Sequence, residues 1–286
     1  MKLAKRLASA LLALAVVCSC LNLSALEAHA AAPKTSTLVI DSKNGVISPT
    51  KVRAGIQNLY NYTSIYLAND GDYVASVTSN SSQLVAKITY KAIYNEDYNY
   101  RIDVNGKEGQ YRSRYEISYF AKAKGTYTLT ATIKNAKKKT TCKKKITVYV
   151  EENTDPIKSF KYAGKEYAYA YDKLSKKASG KLQITMNKGF QLQKIERGVY
   201  VDGKYEDYSP EPVFKSVKNK SNISLATSTK YTAGIYSYQS SYSGDSYESG
   251  TSYDYLYPVT VIRVTYKDTK LGIVRTTEYN LFYQNK

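Results

Sequence analysis

From about residue 36 onward, apolar and polar residues alternate with period two, and helical spacing is nearly absent. That rhythm puts successive side chains on opposite faces of a strand. Clear runs are Thr37–Ile40, Tyr73–Val77, Leu84–Ile88, Tyr98–Ile102, Tyr127–Ile133 and Ile146–Val150. Between them, Asn44-Gly45, Asn69-Asp70-Gly71, Asn105-Gly106 and Asp202-Gly203 supply residues that accept positive φ at turns. Further on, Gly180–Met186 and Phe190–Ile195 around Asn187-Lys188-Gly189 predict a hairpin. Val259–Tyr266 and Ile273–Tyr283 predict another. Many short strands at such spacing predict an all-β sandwich or barrel.

The first thirty residues break this pattern. Lys2, Lys5 and Arg6 precede an apolar run, Leu7–Val17, and Ala28-His29-Ala30 places small residues where a signal peptidase reads. Residues 1–30 are therefore expected to be a cleaved secretory signal, with no transmembrane segment. A competing cut comes from Val17-Cys18-Ser19-Cys20, a loose likeness of a lipobox that would leave Cys20 acylated. Cys18 departs from that pattern, so cleavage after Ala30 is preferred. Leu281–Lys286 holds no sorting motif, so surface retention would rest on Cys20 lipidation, on attraction to anionic wall polymers, or on a partner.

A polar stretch, Glu151-Glu152-Asn153-Thr154-Asp155-Pro156, follows one alternating run, and its proline restricts Asp155 to an extended conformation. It divides the mature chain into 31–152 and 153–286, both of ordinary domain size. In the first part, Phe120–Ala131, a basic loop and Lys145–Val150 resemble the last two strands of a bacterial immunoglobulin-like (Big-type) domain. Gly125-Thr126-Tyr127 matches the Gly-x-Tyr that opens the penultimate strand of that family. Tyr127 resembles its tyrosine-corner position, two residues before an inward Leu129. Gly71–Ser79 is similar to an early core strand of such modules. The resemblance covers roughly residues 36–151. It implies an immunoglobulin-like sandwich with a secreted or surface role and fixes no site residue. The strand pattern of 153–286 suggests a second, tandem sandwich closed by its terminal hairpin.

Composition narrows the chemistry. The signal removes the only His (His29) and two of the three Cys, leaving Cys142 alone and no intrachain disulfide. Without histidine there is no imidazole base, no Ser-His-Asp or Cys-His site and no His-ligated zinc. Carboxylate pairs, Ser/Lys or Tyr nucleophiles and oxygen-ligated calcium survive that test. Ser48-Pro49-Thr50-Lys51 has the Ser-x-x-Lys spacing, but it lies in a β region and lacks its partner motifs. Glu96 and Asp97, Glu206 and Asp207, and Asp202 with Glu211 could form carboxylate pairs, and Glu151, Glu152 and Asp155 could hold a junction calcium. A bare linker is preferred, and no metal or cofactor is expected.

Two segments offer a surface instead. Residues 231–257 hold Tyr231, Tyr236, Tyr238, Tyr242, Tyr247, Tyr253, Tyr255 and Tyr257 amid Ser and Gly. Tyr236 and Tyr238 would share one strand face, as would Tyr253, Tyr255 and Tyr257. Paired as a hairpin, they would form a tyrosine ladder with the composition of a binding loop, or simply cover neighbouring apolar surface. Tyr167, Tyr169 and Tyr171 form a second stripe better suited to core or edge packing. The basic run Lys137, Lys138, Lys139, Lys143, Lys144 and Lys145 surrounds Cys142. It reads as a soluble hairpin tip or as an anion patch, and its lysines could lower the Cys142 pKa. The mature chain carries 39 basic and 23 acidic residues, a net charge of +16.

These features point to a secreted or cell-surface binding or adhesion protein, tyrosine-rich, basic and not an enzyme. Its partner would be an extracellular glycan, an anionic wall polymer or another surface protein, not a specific nucleic acid. The alternatives are a structural spacer or assembly module, and a carbohydrate-active enzyme using carboxylates.

Overall fold

Most of the expected alternation folds as strands, although Tyr98 and Asn99 lie outside the described residues and the strand there begins only at Arg101. The computed structural model describes residues 36–94, 100–170, 174–206, 209–227, 232–233, 253–254 and 259–284, with backbone alone for 201–206, 209–210, 232–233 and 253–254. The signal, with Cys20, lies outside them. The first strands are β1 (Leu38–Asp41), β2 (Val46–Pro49), β3 (Lys51–Gly55), β4 (Tyr62–Leu67), β5 (Tyr73–Ser79) and β6 (Leu84–Ile93). They continue with β7 (Arg101–Val104), β8 (Lys107–Gln110), β9 (Ser113–Ala121), β10 (Gly125–Lys134) and β11 (Thr140–Glu151). After residues 152–156 come β12 (Ile157–Tyr162), β13 (Lys165–Glu166), β14 (Leu174–Ser175), β15 (Ser179–Met186) and β16 (Phe190–Glu206). The last are β17 (Ser209–Ser216), β18 (Asn222–Ser224), β19 (Thr232–Ala233), β20 (Tyr253–Asp254), β21 (Val259–Asp268) and β22 (Ile273–Tyr283).

Strands β1–β11 build one sheet of order β1-β2-β4-β9-β6 and another of order β3-β11-β10-β5. Pro49 has no amide hydrogen for a ladder, and the chain leaves β2 there and crosses to the other sheet as β3. There β3 runs parallel to β11, Lys51 beside Thr147 and Ala54 beside Val150. The order β2-β4-β9-β6 against β3-β11-β10-β5 matches the immunoglobulin sandwich, with β3 added alongside the last strand. Inward residues of β4, β9, β10 and β11, among them Ile65, Ile117, Leu129 and Val148, are wholly buried in one cluster. Tyr127 Oη donates to the Ala123 carbonyl at 3.0 Å, reaching back across the bend that opens β10, while Leu129 turns inward. That is the geometry its tyrosine-corner likeness implied. Asn105 (φ +53°) and Gly106 (φ +76°) make the tight turn of the β7–β8 hairpin, as the Asn-Gly pair predicts.

The later strands form sheets β13-β12-β15-β18 and β14-β22-β21-β16-β17. The terminal hairpin is present as β21 and β22, paired from Val259–Phe282 to Asp268–Ile273. The hairpin expected over 180–195 is not. Strand β15 pairs with β12 and β18, whereas β16 pairs with β21 and β17. Asn187-Lys188-Gly189 therefore carries the chain from one sheet to the facing one, so that Leu182, Ile184 and Ile195 enter the same core from opposite sides. Alternation specifies the buried face of a strand but not its neighbour. Asp202-Gly203 is likewise no reversal. It lies in a register shift of β16 between Tyr200 and Tyr205, and the pairing with β17 closes at Glu206–Ser209. A glycine within a strand marks such bulges.

A second buried cluster, centred on Phe160, Tyr162, Leu182, Ile262, Val264 and Leu281, fills these sheets. Residues 35–286 nonetheless hold together as one compact unit. We propose that the two clusters mark two domains meeting at residues 152–153. Among the described residues no helix is long and apolar enough to cross a membrane.

Candidate functional site

Strand β3 turns Val52 and Ala54 toward the first core, so Lys51 and Arg53 project from the outer face. Arg53 meets the later sheets there. Its Nε donates to Asp268 Oδ2 at 2.6 Å and its Nη2 to Asp268 Oδ1 at 2.9 Å and to the Gly189 carbonyl at 3.0 Å. The guanidinium also pairs with Glu151 and lies 4.2 Å from the centre of the Phe190 ring. Asp268 ends β21 and accepts the amides of Lys270 and Leu271 at 2.9 and 3.0 Å, which shapes the β21–β22 turn. The Arg53 and Asp268 side chains are 8% and 2% exposed. A fork-to-fork pair this dry and this fully bonded fixes the approach of the two sets of sheets.

Beside this pair opens a cleft of about 360 Å³ lined by Lys51, Asn61, Tyr62, Tyr119, Tyr266 and Arg275 as well as Arg53, Asp268 and Phe190. Asn61 is occupied within the loop before β4, holding Gly55 and Asn58. Burial raises the hydroxyl pKa of both Tyr119 and Tyr266, so both stay protonated donors at neutral pH. The cleft can hold a small polar ligand between aromatic walls.

Of the sequence-predicted tyrosines, Tyr236, Tyr238, Tyr242, Tyr247, Tyr255 and Tyr257 lie outside the described residues, as does Tyr231. The backbone of Tyr253 pairs with Ala233, and that of Asp254 with Thr232, in an antiparallel ladder. In the second stripe, Tyr167 is buried and donates to the Leu174 carbonyl, Tyr169 donates to the Ile157 carbonyl, and Tyr171 lies outside the described residues.

The basic run divides by strand face. Lys137, Lys138 and Lys139 occupy the exposed turn between β10 and β11, with Lys138 at φ +60°. Lys143 and Lys145 are exposed on β11. Lys144 faces the other way, on the side of Ile146, and pairs with Asp41 of β1. It thus leaves the expected patch, because alternation in β11 turns it toward the opposite sheet. Cys142 shares that inward side, and burial raises its thiol pKa despite the opposing pull of Lys144. The lowering that the neighbouring lysines could bring is outweighed by burial.

Lys144 and Asn44 hold the Asp41 carboxyl at a pKa of about 2. The folded value lies below the unfolded one, so its contribution is present above about pH 4 and is lost as pH falls toward about 2. Carboxyl NMR titration should find Asp41 near that value, rising part of the way toward the ordinary range in Lys144→Gln. An unchanged midpoint in the variant would assign the shift to Asn44 alone.

Among the described residues the junction carboxylates do not gather into a calcium site. Glu151 faces Arg53, and Asp155 accepts the Ile157 amide at 2.9 Å. Among the described residues no cluster of three metal-ligating side chains occurs. Glu96, Asp97 and Asp207, with the side chains of Asp202 and Glu206, lie outside the described residues. Ser48 sits in β2, where Ser and Lys51 cannot share a helical turn.

One aromatic group escaped the sequence reading. Tyr66, Tyr94, Tyr100 and Tyr111 gather at the root of the β7–β8 hairpin, with ring centres 3.8–5.9 Å apart. Their only sequence signal was tyrosine abundance, because the contacts join β4 to residues near β6, β7 and β9. Arg53 and Asp268 carried less signal still, being 215 positions apart.

Fold and site together define an all-β sandwich protein with a polar, aromatic-walled cleft. No protein-family model matches the chain, and no curated protein matches it. Among solved structures it is similar to the fibronectin(III)-like modules of Clostridium thermocellum CbhA, at 12% identity and a TM-score of 0.29, covering 86% of this chain and 94% of that one. It is also similar to domains 1–6 of the surface-layer protein SbsC, at 13% identity and a TM-score of 0.26. That match covers 63% of this chain and spans only 22% of the SbsC chain. The sialic acid binding region of a Streptococcus sanguinis SK1 adhesin gives 11% identity, a TM-score of 0.23, and coverage of 88% and 78%. Likeness at these scores carries no functional argument.

Proposed function

We propose that this is a secreted or cell-surface binding protein of the adhesion type, without catalytic activity, which recognises an extracellular glycan or wall polymer through the Tyr-rich segment 231–257. The export signal supports the location, and the strand motifs support a Big-type first sandwich. One observation carries the recognition reading. The β19–β20 ladder pairs Ala233 with Tyr253 in a two-stranded sheet of its own, so the two ends of 234–252 lie side by side. The segment between them is built of Tyr, Ser and Gly, which combine rigid amphipathic rings with adaptable hydrogen bonding.

The test is a glycan and wall-polymer array probed with the secreted chain at low and raised salt. Binding should survive salt and disappear in Tyr236→Ala/Tyr255→Ala with the melting temperature unchanged. Binding that vanishes in salt would leave only lysine electrostatics. Absence of binding at either salt would favour a rigid spacer, for which the buried Arg53–Asp268 pair is the supporting observation.

A further inference from the structure

We infer that the cleft beside Arg53 is a second binding site, for one anionic sugar unit of the polymer engaged at the surface. The proposal rests on the binding reading above but places the charge-reading contacts elsewhere.

The argument begins with charge. Of the charged groups at the cleft, the single Arg53 cation is shared by Asp268 and the neighbouring Glu151, and a further carboxylate, Asp155, acts with Arg275 on the Tyr266 hydroxyl. Lys51 and Arg275 remain, on β3 and β22, and neither is ion-paired with a carboxylate among the described residues. They face one cavity from opposite sets of sheets. An anionic group on a ligand would gain charge-assisted contacts with both. Size comes next. About 360 Å³ is near the small end of ligand pockets and suits one or two sugar rings.

Aromatic surface completes the match. Tyr62, on the cleft wall, is 60% exposed, and Tyr60, two residues earlier and outside the lining, is 86% exposed. Leu59 stands out beside them. Exposed rings next to a polar cavity suit a ligand with an apolar C–H face and a hydroxylated edge. Tyr266 and Thr37 line the same cavity and add hydroxyls for that edge. A sugar bearing a carboxylate or a phosphate has all three properties. A bare inorganic anion would leave the rings unused, and a neutral sugar would gain nothing from the charge of Lys51 and Arg275.

The experiment titrates the full secreted chain with glucuronic acid, glucose 6-phosphate and glucose, following amide and aromatic NMR signals. Either or both acidic sugars should shift residues around Tyr62 and Tyr266, and the two arms separate a carboxylate from a phosphate ligand. Glucose should bind at least about tenfold more weakly. Lys51→Gln/Arg275→Gln should weaken the acidic sugar by about tenfold or more, and Tyr62→Ala should weaken it with the charges intact. Tyr236→Ala/Tyr255→Ala should leave this titration unchanged. Equal binding of glucose, or acidic-sugar binding indifferent to Lys51→Gln/Arg275→Gln, would overturn the site. So would loss of binding in Lys137→Gln/Lys138→Gln/Lys139→Gln instead. An empty titration beside a positive array would remove the cleft proposal alone, whereas a blank array would remove the reading on which it rests.

Discussion

Arg53→Met is expected to lower the unfolding free energy by about 3–5 kcal/mol, the loss typical of a buried ion pair stripped of one partner. Methionine keeps much of the apolar stem, while the guanidinium's ion pairs and its contact with the Phe190 ring are lost together. What remains is a carboxylate 2% exposed, held among the described residues by the amides of Lys270 and Leu271. Asp268→Asn should cost less, because Glu151 still faces the guanidinium and the amide can still accept hydrogen bonds. Denaturant unfolding of the two single variants and the double variant gives the coupling between them. A double variant more stable than the sum of its parts is expected, since neither partner is then left alone. A cost for Arg53→Met below about 1 kcal/mol would class the pair with exposed ion pairs and end its role as a stitch between the sheets.

The second large effect is in the later core. Phe160→Ala should cost about 3–5 kcal/mol and move its melting transition by roughly 10–20 °C. Phe160 is fully buried, with its ring 4.7 Å from that of Tyr279 and 6.2 Å from that of Tyr167. The surrounding sheets cannot close over a cavity of that size without breaking their ladders. Leu129→Ala does the same to the first core, at about 2–5 kcal/mol. Calorimetry of both variants decides whether the clusters are separate domains. If each variant moves its own transition, above all in the Arg53→Met background, the boundary at 152–153 stands. If one transition carries both losses even there, residues 35–286 unfold as one unit and the two-domain proposal fails.

Both predictions depend on information the sequence holds unevenly. Period-two alternation in Tyr127–Ile133 and Ile146–Val150 already specified strands and their buried faces, since side-chain direction along a strand is local. Asn105-Gly106 announced its turn because few other pairs accept two positive φ values. Gly-x-Tyr at 125–127 pointed to the back-bonded Tyr127, because both ends of that contact lie within five residues. The single histidine, His29, falls in the expected signal, so the sequence pointed away from imidazole chemistry in the secreted part before any folding was considered.

Partnership was not legible in the same way. Nothing in Gly180–Ile195 says that its two strands join different sheets. Two adjacent alternating runs look alike whether they pair edge to edge or face each other across a core. The fate of Lys144 was equally hidden, because the partner that removes it from the basic surface stands 103 positions away on β1. The cleft is the extreme case. Lys51 and Arg275 belong to opposite ends of the chain, and each alone is an ordinary strand cation. Local pattern determined the strands, their faces and the chemistry excluded. Only the tertiary structure decided which faces meet, since that follows from burying many separate apolar stripes at once and pairing the charges trapped between them.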